Sequence, residues 1–164
     1  MNPGIIALIQ LCAPMVHPTT MSNVITVESS GNPYAIGVVG GRLVRQPRNL
    51  DEALATARML QASGWNYSVG HAQVNKSNFR KYGLNLETAF DPCTNIRVGA
   101  KILQSCYAES LSSAPKQTDS QFHLVRALSC YYSGRLDSRE GWRYAGSVFA
   151  ARSKLSRTSQ GARP

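Results

Sequence analysis

Acidic residues are scarce in this chain of 164. Nine Asp and Glu stand against eighteen Lys and Arg, leaving a formal net charge of +9. Such a surface attracts polyanions, whether nucleic acid, anionic lipid or the bacterial wall, and charge alone does not choose among them. Long apolar runs are missing too. The stretch from Ile5 to Ala13 is interrupted only by Gln10 and is too short to span a bilayer. No basic residues precede it, and Gln10-Leu11 stands before Cys12 where a lipoprotein cleavage site needs small residues. The run therefore reads as a buried first helix rather than an export signal. Neither Cys-x-x-Cys nor His-x-x-x-His spacing occurs, which argues against a zinc framework. No internal repeat is visible.

What is present suits one globular domain, with 43% hydrophobic and 16% charged residues and enough chain to enclose a core. The four cysteines, Cys12, Cys93, Cys106 and Cys130, suit two disulfides, although buried free thiols would satisfy the same count. Cys93 and Cys106 fall on one predicted helix roughly 20 Å apart, beyond disulfide reach. Of the remaining pairings, Cys93–Cys130 with Cys12–Cys106 is preferred, because the helices bearing Cys93 and Cys130 should pack antiparallel.

Turn signals divide the chain into helices. Pro18 opens one that closes at Ser29-Ser30-Gly31-Asn32-Pro33. The glycine-rich segment Ala35 to Leu43 suggests a small hairpin or long loop, and Trp65 to Val69 a short strand. Asn49-Leu50-Asp51-Glu52 and Asp137-Ser138-Arg139-Glu140 have capping-box patterns. Asp91-Pro92 precedes a helix over about Thr94–Ser110, and Asp119 opens another. The expected fold is a mainly α (α+β) single domain with a small β element over residues 1–152, followed by a basic, disordered tail over 153–164.

Most of the acids sit at these predicted helix starts, where they cap free N–H groups. Glu87 follows Asn85 at a short turn, and Glu109 lies near a helix end facing water. Glu28 is out of place. It comes late in its helix, where the dipole disfavours a negative charge, and shares a stripe with Met21, Val24 and Ile25. A carboxyl group there has its pKa raised, which suits a general acid, unless the stripe is loosely drawn and Glu28 faces water.

The residues around it point further. Glu28-Ser29-Ser30-Gly31-Asn32-Pro33 resembles the Glu-Ser motif of the lytic transglycosylases that share the goose-type lysozyme fold. Gly70-His71-Ala72-Gln73-Val74-Asn75 resembles their Gly-Leu-Met-Gln motif, and Ala127-Leu128-Ser129-Cys130-Tyr131-Tyr132-Ser133-Gly134 their Ala-Tyr-Asn-Ala-Gly motif. Between them, Phe90-Asp91-Pro92, Asn95-Ile96 and Gly99 are similar to the start of the family's central helix. The four motifs come in family order over about Pro18 to Gly134. Ala35-Ile36-Gly37-Val38 and the cysteines are most similar to the branch attached to type IV secretion and conjugation systems.

The resemblance implies an enzyme of the periplasm or cell envelope, acting on peptidoglycan strands and partnered by type IV secretion system components. It implies no cofactor, metal, nucleic acid or membrane span. Glu28 is its sole acid and base, cleaving the bond from N-acetylmuramic acid to N-acetylglucosamine and leaving a 1,6-anhydro sugar. Ser29 is expected to steady the turn presenting Glu28, Tyr131 to hydrogen-bond Glu28, and Gln73 and Asn75 to meet the sugars. Tyr34 and Trp65 are candidates to stack on sugar faces. His71 and Tyr132 depart from the family pattern; His71 is read as a groove-wall substitution. The Asp51-Glu52 pair is the candidate for a second carboxylate, but a helix cap already explains it. The rival readings are a hydrolytic muramidase of the same fold, a wall-binding module with little turnover, and a nucleic-acid-binding domain motivated by charge alone.

Overall fold

The computed structural model describes residues 3–160, with side chains described over 4–151. Helices α1 (Pro3–Cys12) and α2 (Pro18–Ser29) lead to strand β1 (Ile36–Val38). Then follow α3 (Leu50–Ala62), β2 (Tyr67–Val69), β3 (Val74–Asn75) and a 3-10 turn at Lys76–Asn78. The remainder is helical: α4 (Phe79–Tyr82), α5 (Leu86–Phe90), α6 (Pro92–Ser113), α7 (Ser120–Ser133) and α8 (Arg139–Gln160). This is the mainly α architecture with a small sheet that the sequence predicts. The proposed tail from Ser153 has its side chains outside the described ones, and residues 161–164 lie outside the described residues altogether.

Local chemistry explains most helix starts. Asp91, Asp119 and Asn85 each accept a backbone N–H of the following first turn, at 2.8, 2.9 and 2.8 Å. Two starts differ from the capping boxes expected. Asn49 does accept the Glu52 N–H, but the Glu52 carboxylate turns away to Arg45 and the Arg48 N–H. At α8 the cap is Ser138, whose Oγ accepts from the Gly141 N–H at 2.9 Å. Asp137 instead forms a bidentate pair with Arg126, which draws its carboxylate off the helix end. The first helix is only half buried: Ile9 and Cys12 face the core while Leu11 is 78% exposed.

The sheet is antiparallel in the order β1-β2-β3, with Ile36 opposite Val69 and Ser68 opposite Asn75. The 35–43 segment is therefore not a hairpin of its own, because β1 finds its partner thirty residues on. The outer edge of β1 is closed by a side chain. Gln46 accepts from the Ile36 N–H and donates to the Ile36 carbonyl, as a neighbouring strand would.

Two apolar clusters result. One, built from α1, α2, α6, α7 and α8, holds Ile9, Met21, Ile25, Ile96, Leu128 and Val148. The other, holding Ile36, Leu54, Tyr67, Val69 and Phe90, joins the sheet to α3 and α5. Asn95, fully buried at the start of α6, links them. Its amide donates to the carbonyls of Val69 and Ala89 and its oxygen accepts from the Ala72 N–H, all within 2.9 Å.

The disulfides are Cys12–Cys93 and Cys106–Cys130, which corrects the preferred pairing. Helices α6 and α7 do run antiparallel, with Ser110 facing His123. But α6 has 22 residues and α7 only 14, so the end of α7 reaches the middle of α6. Cys130 therefore lands beside Cys106, and the projecting first turn of α6 leaves Cys93 for the end of α1.

Asn95→Ala would strand two carbonyls and one N–H away from water. We expect a loss of at least about 3 kcal/mol in urea denaturation, at 1–3 kcal/mol for each orphaned group. A loss below about 1 kcal/mol would mean that Asn95 is not the link between the two clusters.

Candidate active site

Between the clusters lies a cleft of about 1000 Å³. Its sheet side carries Gly37 to Gly40, Asn66, Ser68, Gln73 and Asn75; its helical side carries residues of α6 and the end of α7, from Cys130 to Gly134. Glu28 lines it from the last turn of α2. That helix ends where Ser30 and Gly31 take left-handed conformations, φ 53° and 81°, so the chain turns off just past the carboxylate.

Met21, Val24 and Ile25 are fully buried, as the stripe reading requires. Burial raises the Glu28 pKa from 4.5 to about 7, against an opposing hydrogen bond from Tyr144. The Tyr144 hydroxyl donates to Glu28 Oε1 at 2.6 Å. Burial and the neighbouring carboxylate push the Tyr144 pKa far upward, so the hydroxyl remains a donor. Tyr132 and Tyr131 stack on the Tyr144 ring at 4.9 and 6.4 Å.

Tyr144 was not found by the sequence reading, which assigned this bond to Tyr131. The Tyr131 hydroxyl goes instead to the Ala72 carbonyl at 2.5 Å. Gly99 makes room for that: a Cβ there would lie 2.4 Å from Ala72 Cβ and 3.1 Å from the Tyr131 hydroxyl. One signal for Tyr144 was available. With Gly141, Ala145 and Val148 it forms the buried face of α8 at helical spacing, and α8 packs across α2.

Ser29 steadies the site. Its hydroxyl reaches the carbonyls of Ile25 and His71, and accepts from the Gly31 N–H. Gln73, at φ 47°, donates to the Ala35 and Gly70 carbonyls and points its oxygen past Gly37 into the cleft. The Asn75 amide donates to Asn66 and Ser68 and its oxygen accepts from the Ser77 N–H, so its bonds hold the cleft wall. His71 is not among the cleft-lining residues. It is 5% exposed, and burial lowers its pKa. Tyr34 packs on the sheet cluster and Trp65 lies over Gly41, both outside the cleft lining. Asp51 and Glu52 also stand outside it, and Glu52 is paired with Arg45. Among the described residues no cluster of His, Cys, Asp and Glu is arranged to hold a metal.

Residues 7–150 match the family model described as the transglycosylase SLT domain. The chain belongs to the SLT transglycosylase family. Within it, this SLT domain is 55% identical over 129 residues to the type IV secretion system protein virB1 of Brucella abortus biovar 1 (strain 9-941), covering 79% of this chain and 53% of that protein. It is 35% identical over 127 residues to the protein virB1 of Agrobacterium fabrum, covering 75% and 49% respectively. The chain thus spans about half the length of the curated relatives it matches. No solved structure gave a significant match.

The raised pKa links the site to stability. Between pH 4.5 and about 7 the folded chain holds the Glu28 proton and the unfolded chain does not, so stability falls as pH rises through that window. Above it the deficit reaches about 3 kcal/mol, at 1.36 kcal/mol per unit. Glu28→Gln is therefore expected to be more stable than wild type at pH 8 and nearly equal to it at pH 4, by thermal denaturation. Tyr144→Phe removes the bond that favours the ionised form. Its Glu28 pKa should move higher still, as followed by NMR titration of the carboxyl carbon.

Proposed function

We propose that this SLT domain is a peptidoglycan lytic transglycosylase in which Glu28 acts as both acid and base. The observation that carries the reading is a buried carboxyl lining the cleft, still protonated up to about pH 7, with one oxygen held by Tyr144. A carboxyl so placed is ready to donate a proton.

Protonated Glu28 gives its proton to the oxygen joining N-acetylmuramic acid to the next N-acetylglucosamine. The bond from that oxygen to the anomeric carbon breaks, and the acetamido group of the muramic sugar stabilises the positive charge, as in substrate-assisted glycosidases. The Glu28 carboxylate then takes the proton of the muramic C6 hydroxyl as its oxygen attacks the anomeric carbon. The product is a 1,6-anhydro sugar, the enzyme regains its proton, and no water is used. The Gln73 oxygen faces the cleft as an acceptor for an acetamide N–H. No cofactor enters.

The Brucella relative is named as a type IV secretion system protein, which supports local opening of the wall for a secretion or conjugation apparatus. The two disulfides suit an oxidising compartment such as the periplasm. No described helix is long and apolar enough to cross a membrane.

Mass spectrometry of digested peptidoglycan tests the reaction and its acid together. Wild type should release anhydro-muropeptides, each lighter by one water than a hydrolytic product. Glu28→Gln should lower release by about 10³-fold, the scale of general acid catalysis. Asp51→Asn and Glu52→Gln should stay within about two-fold of wild type, as expected for residues at a helix cap. Wild-type turnover should fall as pH rises through about 7, because the acid form starts the reaction. Hydrated products would identify a muramidase; no release from folded wild type would leave a wall-binding module.

A further inference from the structure

One of the two disulfides belongs to the cleft. Cys106, in the middle of α6, and Cys130, in the last turn of α7, are both buried and both line it. Cys12 and Cys93 stand outside the cleft lining, where they join the end of α1 to the start of α6.

The turn that holds Cys130 also holds the stack on Tyr144. Tyr131 and Tyr132 follow Cys130 directly, and α7 ends at Ser133, where the Gly134 N–H bonds back to the Cys130 carbonyl at 2.7 Å. The last turn of a helix tends to fray, and stacked rings are a weak tether by themselves. Tyr132, whose ring lies 4.9 Å from that of Tyr144, is 57% exposed. The disulfide ties this turn to Cys106, which is packed in the helical core. A line of contacts thus runs from α6 through Cys130 and the two tyrosines to the Tyr144 hydroxyl, 2.6 Å from Glu28.

We propose that the Cys106–Cys130 disulfide is a positioning element of the active site, fixing the last turn of α7 so that the tyrosine stack keeps the Tyr144 hydroxyl on Glu28. The proposal rests on the reading of Glu28 as acid and base, and adds a covalent brace to it. Stabilisation alone would rank the two disulfides the other way. A disulfide constrains the unfolded chain more when the loop it closes is longer. Cys12–Cys93 closes a separation of 81 residues and Cys106–Cys130 one of 24. The first should therefore matter more to stability and the second more to Glu28.

A double-mutant cycle read by NMR titration of the Glu28 carboxyl carbon tests this. With both disulfides intact, Tyr144→Phe should raise the Glu28 midpoint by about one pH unit, the scale of a hydrogen bond to a charged group. The same rise should appear in the Cys12→Ala/Cys93→Ala protein, despite its greater loss of thermal stability. In the Cys106→Ala/Cys130→Ala protein the rise should fall to less than about half. There kcat on peptidoglycan should drop about five-fold or more, with KM within about two-fold of wild type. If that protein does not fold, the Cys12→Ala/Cys93→Ala protein carries the same test. Dithiothreitol reduces its remaining disulfide, becoming a cyclic disulfide as each cysteine gains one electron and one proton, and reoxidation should restore the rise. No rise with both disulfides intact, a rise that survives loss of Cys106–Cys130, an equal loss without Cys12–Cys93, or an unchanged kcat overturns the proposal. Failure of the catalytic reading is seen separately, as wild type releasing no anhydro product while the titrations still report the brace.

Discussion

The backbone of residues 70–73 is the point on which the site depends. This short turn joins β2 to β3, and side chains from three helices take hold of its polar groups. Ser29 at the end of α2 donates to the His71 carbonyl, and Tyr131 from α7 donates to the Ala72 carbonyl. Asn95 from α6 accepts the Ala72 N–H. Gly99 lets α6 approach closely enough for Met21, Ala72 and the Tyr131 hydroxyl to meet over it. Buried carbonyls and N–H groups need partners, and these three partners come from three different helices. The four sequence motifs are therefore parts of one hydrogen-bonded assembly, and their separation along the chain is the distance between its contributors.

That assembly fixes Glu28 at the edge of the core, where two demands oppose one another. In the proposed reaction, acid chemistry needs the carboxyl to keep its proton, which burial provides. Reprotonation and base chemistry need the ionised form to be tolerable, which the Tyr144 hydrogen bond provides. A pKa raised to about 7 is the balance, with burial the larger effect. The tyrosine stack holds the donor in place: Tyr132 covers Tyr144 from the cleft side and Tyr131 is itself tied to Ala72. Tyr131 thus acts on Glu28 at one remove, by ordering the ring that touches it.

What was legible in the sequence was mostly local. Asp91 and Asp119 announce helix starts because a cap is decided within three residues. The misplacement of Glu28 was visible for the same reason, since dipole and stripe are properties of one helix. Pairings across the chain were not legible. Choosing between the two disulfide patterns required knowing that α6 outruns α7, and helix ends are the least certain features of a sequence. Tyr144 lies 116 residues from Glu28, and nothing near either residue mentions the other. His71 was misplaced because its motif neighbours face the cleft. A tight turn sends successive side chains in different directions, so Gln73 points outward while His71 is buried.

This division also separates the residues that hold the frame from those left to meet a ligand. The hydroxyls of Ser29 and Tyr131 and the amides of Asn75 and Asn95 all have partners within the protein. Their hydrogen-bonding capacity is taken up by the fold, so changes in substrate preference have little purchase on them. Cleft residues with capacity remaining include Glu28, the Gln73 oxygen, the Asn66 amide N–H groups and the exposed charges Lys81 and Glu109. Glu28 and Gln73 stand where the sheet and helical clusters meet, whereas the two charges sit on the part of the cleft formed by α4 and α6. On the proposed reading, the chemistry belongs to side chains held by a hydrogen-bonded assembly of backbone and buried hydroxyls, and selectivity to side chains that can change without disturbing that assembly.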